Sequence, residues 1–416
     1  MMIKKDWHIY YAFYILFALS CALLTTVAGI NIFVLLLLLV APWFWIDYRF
    51  DQVQKRYILQ FMYLIAAICL WDIFTNCLAG NGFLKSMIAM EHDLRTFGFI
   101  LILWPIFAIQ KLARFTLRVL LVVFGIVAAL NLFAILLGFT NAGEYLWPTI
   151  NHMYGQMIVG SLFLLLQYSI DRSSFSWKKI LLIGVLFAGL IFGSGRRTGY
   201  LLLLAGFPVW IFLNRERFSL KRYRWWIILS LFGVIAFSTQ SSVLQDRMTL
   251  AYQEFYDFSQ LTTAERANIN TSVGIRLQFY ISTWELIKDH WLVGVGSIQF
   301  PELFQKVNLQ MGTKMPELFH NPHNEYLFML ATKGVIGLLL YVGIFIQACR
   351  LAMIKTDQIQ RVGLLMFVYL FMVSIFMNSM MIDMEEGHFT MLILLIFLAP
   401  VSLGLEQNKS QKKVVV

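Results

Sequence analysis

Residues 29–46 read GINIFVLLLLLVAPWFWI and contain no charged residue. An apolar stretch of about 18 residues or more is long enough to cross the hydrocarbon core of a membrane as a helix. Comparable stretches recur at 9–27, 57–79, 97–110, 119–139, 153–170, 180–194, 199–213, 225–239, 333–349, 362–381 and 388–405. The pattern predicts an all-α, polytopic membrane protein with about twelve transmembrane helices.

The composition of the whole chain supports this class. Apolar residues make up 59% of the 416 residues, charged residues 13%, and the mean hydropathy is +0.71. Soluble domains carry about 25% charged residues. The net charge of +10 is spread over short loops rather than gathered in one patch, which argues against a nucleic-acid partner. The four cysteines show no CxxC spacing, so neither a disulfide framework nor a zinc site is indicated.

The distribution of Lys and Arg predicts the orientation. Of the 33 basic residues, 22 fall on the side that holds both termini, and 4 fall in the short loops of the other side. Because cytoplasmic loops carry the excess of Lys and Arg, both termini are predicted to be cytoplasmic. Residues 1–239 then hold nine spans, residues 240–332 form one long periplasmic segment, and residues 333–416 hold three spans and a cytoplasmic tail. A connection as long as 240–332 is expected to carry function.

An amphipathic helix is predicted inside that long segment. Tyr280, Trp284, Ile287 and Trp291 recur at spacings of 4, 3 and 4, which is helical periodicity. With Trp on its apolar side, the helix could lie against the bilayer surface or pack on the other spans. Arg276, in Gly274-Ile275-Arg276, opens this helix and either faces an anion or is a solvated charge.

Two further arginines are predicted on the outer side of the membrane. Arg196 and Arg197 lie in the stretch GSGRRTG at 193–199, between the seventh and eighth predicted spans. An unpaired Arg near hydrocarbon depth costs at least about 2.5–3.5 kcal/mol, so its presence needs a reason. Guanidinium groups bind phosphate through paired hydrogen bonds, which indicates an anion site. A turn whose arginines anchor lipid headgroups is the alternative.

The stretch HNPHNEY at 320–326 precedes the tenth predicted span. Asn321 suits an N-cap and Pro322 the first helical position, so a helix is predicted to start there. His323 would then lie in the first turn, where the helix dipole disfavours imidazolium and leaves a base that can accept a proton. Glu325 could orient His323 or cap free amides. A structural cap remains open, and so does a metal site, although His320 and His323 lack a third ligand at suitable spacing.

Two acidic features are weaker candidates. Asp72 lies inside the third predicted span, where a carboxylate indicates either a functional site or a hydrogen bond to Tyr or Trp. Asp383 and Glu385, in the last outer loop, could form a metal-binding pair or a solvated acidic turn.

Taken together, these outer residues resemble the O-antigen ligase and polymerase superfamily. The resembling stretch covers roughly 65 residues and runs from Gly274-Ile275-Arg276 through LVGVG at 292–296 and HNEYL at 323–327 to KGVIGL at 333–338. Arg197 resembles the family's other outer arginine. The combined pattern is specific for the superfamily and separates its members less well.

The resemblance implies a GT-C-like, inverting glycosyltransferase in the bacterial inner membrane with its active site facing the periplasm. It would move polysaccharide from undecaprenyl diphosphate to a sugar of lipid A-core, among membrane lipids and without a metal or nucleotide cofactor. His323 would act as general base, and Arg276 and Arg197 would stabilise the diphosphate. The residues expected to bind substrate are Arg196, Asn324, Glu325 and His320. An O-antigen polymerase, a protein O-oligosaccharyltransferase and a transporter of lipid-linked sugars remain alternatives.

Overall fold

The computed structural model describes residues 7–22, 27–137, 154–171, 177–190, 197–216, 242–262, 271–311, 320–355, 357–381 and 384–399. In chain order they form the helices α1 (Trp7–Ala22), α2 (Val27–Asp47), α3 (Gln52–Leu78), α4 (Phe83–Ala108), α5 (Gln110–Leu136), α6 (Tyr154–Asp171), α7 (Trp177–Ala188), α8 (Arg197–Leu213), α9 (Ser242–Gln260), α10 (Ser272–His290), α11 (Phe300–Gln310), α12 (Glu325–Ile354), α13 (Gln358–Ser374) and α14 (Met384–Leu398). These ranges contain no strand, and they confirm the all-helical class predicted from the sequence.

Three of the described helices are long and apolar enough to cross a membrane: Gln52–Leu78, Gln110–Ala134 and Glu325–Ile354. Shorter apolar helical stretches include Ile32–Asp47, Thr198–Leu213 and Gln358–Ser374. The predicted ninth span, 225–239, lies outside the described residues. The helices therefore fit a membrane protein, while the count of twelve spans, the three-part division and the orientation stay predictions.

Helix α12 lies at the centre of the bundle. It packs on α3, on α13 and on α10, while α13 also packs on α6 and α8. Buried aromatic rings run from Phe97 of α4 through Tyr341 and Phe345 of α12 to Phe371 of α13, with centroids 6.0, 5.3 and 4.9 Å apart. Aromatic pairs of this kind contribute about 0.5–1.5 kcal/mol each beyond the burial of their area. They fix α12 against both neighbours.

Helices α10 and α11 share a second, smaller core with the start of α12. Phe279 packs edge-on against Phe304 at 5.4 Å, and Phe300 stacks on Phe304 at 5.2 Å. Ala331 of α12 is buried in the same cluster. The helices that carry the motif residues are thus joined to a membrane-capable helix by apolar packing.

Helix α12 is interrupted near its start by Gly334, whose φ of 65° and ψ of −172° are not helical. This conformation is essentially restricted to glycine. A Cβ at this position would lie 2.2 Å from the backbone oxygen of Leu292, so the close approach of the 291–296 turn also requires glycine. Both constraints explain the glycine in the KGVIGL stretch.

The interruption is filled by the turn after α10, and we call residues 291–296 together with 331–335 the glycine joint. The turn contains two glycines with positive φ, Gly294 at 84° and Gly296 at 79°. Backbone hydrogen bonds then cross the joint: Val295 N to Ala331 O at 2.8 Å, Gly296 N to Thr332 O at 2.9 Å and Val335 N to Trp291 O at 2.9 Å. Two separate stretches of the sequence motif are therefore one structural unit.

Helix α10 confirms the helix predicted to open at Gly274-Ile275-Arg276. Its buried face is not the predicted apolar side formed by Tyr280, Trp284, Ile287 and Trp291. Trp284 and Trp291 are 51% and 57% exposed, whereas Ile287 is buried. The buried face centres on Phe279 and Leu286 and includes polar residues: Thr283 donates to the backbone oxygen of Phe279 at 2.7 Å, and Ser282 donates to Asn308 Oδ1 of α11 at 2.6 Å. The exposed Trp rings leave contact with the bilayer surface as a prediction.

Candidate active site

Helix α12 starts later than the sequence suggested. The N-cap is Asn324, whose Oδ1 accepts a hydrogen bond from the backbone N–H of Leu327 at 3.1 Å. Asn321 Oδ1 instead accepts from the backbone N–H of His323 at 3.0 Å. The prediction of a helix starting at Asn321, with His323 in its first turn, was wrong, because Asn321 stabilises a separate turn through its side chain.

His323 occupies a left-handed conformation with a φ of 54°, the one positive φ among the described non-glycine residues. Such a conformation persists where the surroundings hold it, and it clusters at functional sites. Two neighbours on α10 hold this turn. The imidazole stacks on the ring of Phe279 at 6.1 Å and 13°, and the backbone oxygen accepts a hydrogen bond from the hydroxyl of Tyr280 at 3.3 Å.

Arg276 lies one helical turn before Tyr280 on the same helix. Its Nη2 donates to Asn378 Oδ1 at 3.5 Å, and the Tyr280 hydroxyl also lies 3.3 Å from the backbone oxygen of Phe376. Burial raises the pKa of Tyr280, although the positive charge of Arg276 opposes this rise, and the phenol stays a donor. Helix α10 thus brings Arg276 and His323 into one neighbourhood.

Glu325 is fully buried directly after this turn. Its carboxylate accepts hydrogen bonds from the hydroxyl of Tyr341 at 3.0 Å and from the backbone N–H of Met381 at 3.0 Å. Its own backbone N–H donates to the oxygen of Ile375 at 2.9 Å. In this arrangement Glu325 fastens the segment after α13 to the start of α12.

His320 lies on the other side of the turn and lines a cavity of about 300 Å³. A buried ion cluster lines the same cavity: Lys333 Nζ lies 2.8 Å from Asp72 Oδ1 and 2.5 Å from Asp93 Oδ2. Asp72 therefore pairs with a lysine rather than with Tyr or Trp. Neither Lys333 nor Asp93 was predicted from the sequence as a site residue. A lysine within an apolar span was the available signal, because such a charge requires a partner.

Residues 182–342 match a family model described as O-antigen ligase. The matched stretch covers less than half of the 416 residues. The match confirms the resemblance inferred from the motifs. No curated protein matches the chain.

The matched residues 182–342 include α8, α10, the glycine joint and the His323 turn. The other predicted arginine, Arg197, is the first residue of α8. The side chain of Arg197 and the whole of Arg196 lie outside the described residues. Whether they meet Arg276 therefore stays a prediction.

Two elements beside the site lie beyond the matched residues 182–342. Asp72 and Asp93 come from α3 and α4, and residues 375–381 follow α13. The contacts of residues 375–381 with the site were not predicted from the sequence. The pair Asn378-Ser379 inside an apolar stretch was the signal, because polar residues in such a setting need partners.

The described residues contain no group of three or more His, Cys, Asp and Glu arranged to hold a metal ion. Asp383 and the side chain of Glu385 lie outside the described part of the chain, so the metal-pair alternative for them is untested.

Proposed function

We propose that this protein is an O-antigen ligase that moves polysaccharide from undecaprenyl diphosphate to a sugar of lipid A-core. The family match supports glycosyl transfer of the O-antigen ligase and polymerase type. The choice of lipid A-core as acceptor rests on the motif resemblance. The reaction would be inverting and would use neither a metal nor a nucleotide.

One observation carries the proposal. Phe279 and Tyr280, which follow Arg276 by three and four residues on α10, hold the ring and the backbone oxygen of His323. A cation suited to phosphate and a group suited to proton transfer therefore lie on two elements in direct contact. This pairing is the minimum that transfer from a diphosphate to a hydroxyl group requires.

In the proposed reaction His323 removes the proton from the acceptor hydroxyl. The hydroxyl oxygen then attacks the anomeric carbon of the donor sugar from the face opposite the diphosphate. The bond between that carbon and the diphosphate oxygen breaks, and its electron pair leaves with the diphosphate. Arg276 and Arg197 stabilise the negative charge that develops there. Attack from the opposite face inverts the anomeric centre.

The position of His323 suits a base even though it precedes the helix. It lies next to the N-cap Asn324, so the positive end of the α12 dipole remains nearby and opposes protonation of the imidazole. Its ring is also held flat against Phe279. A fixed, uncharged imidazole is what a general base needs.

The packing of α8 supports a shared role for Arg197 and Arg276. Gly206 of α8 faces Leu370 of α13, since a Cβ on Gly206 would lie 3.0 Å from Leu370 Cδ2. Arg197 lies nine residues before Gly206, and Asn378 lies eight residues after Leu370. With both termini cytoplasmic, the predicted span 199–213 runs from the outer to the inner side and the predicted span 362–381 runs back, so the two spans are predicted to be antiparallel. Arg197 and Asn378 would then lie at one level, and Asn378 contacts Arg276.

The remaining predicted residues fall into two groups, those that contact substrate and those that support the site. We propose that Arg196 and His320 contact substrate. Asn324 and Glu325 support the site by capping α12 and by fastening 375–381. An active site on the periplasmic side of the inner membrane would give both lipid-linked substrates access from the bilayer, beside the exposed Trp284 and Trp291.

The test is a transfer assay with purified protein, an undecaprenyl-diphosphate-linked glycan and rough lipopolysaccharide, without added metal or nucleotide. We expect ligated lipopolysaccharide from the wild type and none from His323→Ala. His290→Ala, at an exposed histidine at the end of α10, is the matched control and should retain transfer. Full transfer by folded His323→Ala would remove the general base. Lengthening of the donor without acceptor would identify a polymerase instead.

A further inference from the structure

A cavity lies beside the His323 turn. Apart from His320, the residues that line it have no role in the proposed reaction. It measures about 300 Å³, at the lower end of the roughly 300–1,000 Å³ typical of small-molecule sites. Its polar lining comes from Asp72, Asp93, Lys333, Ser297 and His320. Its apolar lining includes Phe97, Phe328 and Met381. The lining is therefore mixed, as in sites that bind polar molecules with apolar faces.

One polar atom in this lining has no hydrogen-bond partner. Lys333 Nζ and the hydroxyl of Ser297 both approach Asp72 Oδ1, at 2.8 and 3.2 Å. Asp72 is 1% exposed, and its other oxygen, Oδ2, is buried and has no hydrogen-bond partner among the residues that the structure describes. A buried carboxylate oxygen without a donor is costly, so such atoms require an explanation. A donor supplied by a ligand would satisfy it.

We propose that this cavity is a sugar-binding subsite in which Asp72 Oδ2 accepts a hydrogen bond from a sugar hydroxyl group. This inference rests on the proposed function and adds where one of its sugars binds. Hydroxyl groups donate to carboxylates and accept from Lys and Ser, so a polyol can use both signs of the lining. Phe97 and Phe328 offer apolar surface to the C–H face of a pyranose ring.

The charges of the lining disfavour other ligands. Lys333 lies between the two carboxylates and repels a metal cation from the position it occupies. The carboxylates of Asp72 and Asp93 in turn repel phosphate. A neutral ligand with several hydroxyl groups meets neither repulsion. The cavity therefore suits a sugar rather than the diphosphate group.

The cavity adjoins the proposed reaction centre. His320 lines it and precedes His323 by three residues, while Met381 lines it and donates its backbone N–H to Glu325, which follows the same turn. A ring held there belongs to one of the two substrates near the reacting atoms. Both the donor glycan and the acceptor core carry suitable hydroxyl groups, and binding measurements separate them.

The experiment measures binding of four probes by the full chain in detergent: undecaprenyl-diphosphate-linked glycan, undecaprenyl diphosphate, rough lipopolysaccharide, and lipid A without core sugars. Asp72→Asn keeps the shape of the side chain and removes the charge. We expect it to weaken binding of one sugar-bearing probe by about tenfold or more, because a hydrogen bond to a charged group contributes that much. Binding of the matching sugar-free lipid should not change.

A second variant tests the cavity without changing the residues of the ion cluster. Ala89 lines the cavity, and Ala89→Phe fills it while leaving Asp72, Asp93 and Lys333 intact. It should weaken the same sugar-bearing probe by at least about tenfold if it blocks the ring. The matched controls are Asp257→Asn on α9 and Ala66→Phe on α3, both at exposed positions, and they should bind all probes as the wild type does.

Each result decides a different statement. Loss confined to the donor glycan assigns the subsite to the donor, and loss confined to rough lipopolysaccharide assigns it to the acceptor. Unchanged binding of both by folded Ala89→Phe, or equal loss for the sugar-free lipids, overturns the subsite and leaves the proposed function standing. A wild type that binds neither sugar-bearing probe overturns both.

Discussion

Replacing Lys333 with Met leaves the carboxylates of Asp72 and Asp93 buried without the ammonium group that lies 2.8 Å and 2.5 Å from them. Methionine is similar in length and apolar, so the change removes charge with little change in packing. All three residues are nearly inaccessible to water. Water in the adjoining cavity can therefore hydrate the carboxylates only in part, and the loss of the partner is not fully offset.

The expected size follows from these distances. With an effective dielectric constant of about 20, each contact contributes an attraction of about 6 kcal/mol, and desolvation of the three charges offsets most of it. Removing one partner from a buried ion pair lowers the free energy of unfolding by about 3–5 kcal/mol. Because two carboxylates lose their partner here, we expect a loss toward the upper end of that range.

The assay is equilibrium unfolding of the purified protein in mixed micelles, followed by tryptophan fluorescence. Lys288→Met is the matched control, since Lys288 lies 2.6 Å from Glu285 but both side chains are exposed. It should cost less than about 1 kcal/mol. Adding Asp72→Asn and Asp93→Asn to Lys333→Met should restore part of the stability, because no charge then remains in this cluster. A Lys333→Met protein as stable as the Lys288→Met control would refute the reasoning.

Two further predictions concern the motif residues. Arg276→Lys should reduce the initial rate of transfer severely, since a point charge does not reproduce the planar fork of a guanidinium, whereas exposed Arg215→Lys should not; near-normal transfer by the first variant would argue against a diphosphate clamp. Gly334→Ala should lower the free energy of unfolding by at least about 1–3 kcal/mol, because its conformation is essentially restricted to glycine. Gly160→Ala, at a helical glycine with open space around it, should be neutral or stabilising, and equal stability of the two variants would contradict the strain.

Features that depend on local pattern could be predicted from the sequence. The predicted spans at 57–79, 119–139 and 333–349 coincide with described helices that are long and apolar enough to cross a membrane. The helix opened by Gly274-Ile275-Arg276 was also predicted. Each of these signals lies within about 20 neighbouring residues, which is the range over which helical periodicity is visible.

The start of α12 could not be predicted in the same way. Asn321 and Asn324 are both suitable N-caps, and the choice between them is not local. The backbone N–H of Glu325 bonds to Ile375, and its carboxylate bonds to Met381, about fifty residues further along the chain. These contacts fix the first helical residue at Glu325 and leave His323 in a turn.

The ion cluster illustrates a second limit. Asp72, Asp93 and Lys333 come from three helices, and Lys333 is 240 residues from Asp93. The sequence marks each charge as unusual in an apolar setting, but it does not state which charges meet. The same applies to Asn378, whose contact with Arg276 spans 102 residues.

The hydrogen bonds across Gly334 have a consequence for how the protein is made. Residues 291–296 leave the ribosome well before residues 331–335. The first half of the glycine joint therefore cannot form its hydrogen bonds until the second half has been made. Phe279 and Tyr280 of α10 are likewise made before His323, whose ring and backbone oxygen they contact. A chain that ended before residue 335 would therefore contain Arg276 and His323 but lack the hydrogen bond from the backbone N–H of Val335 to the oxygen of Trp291 that completes the glycine joint.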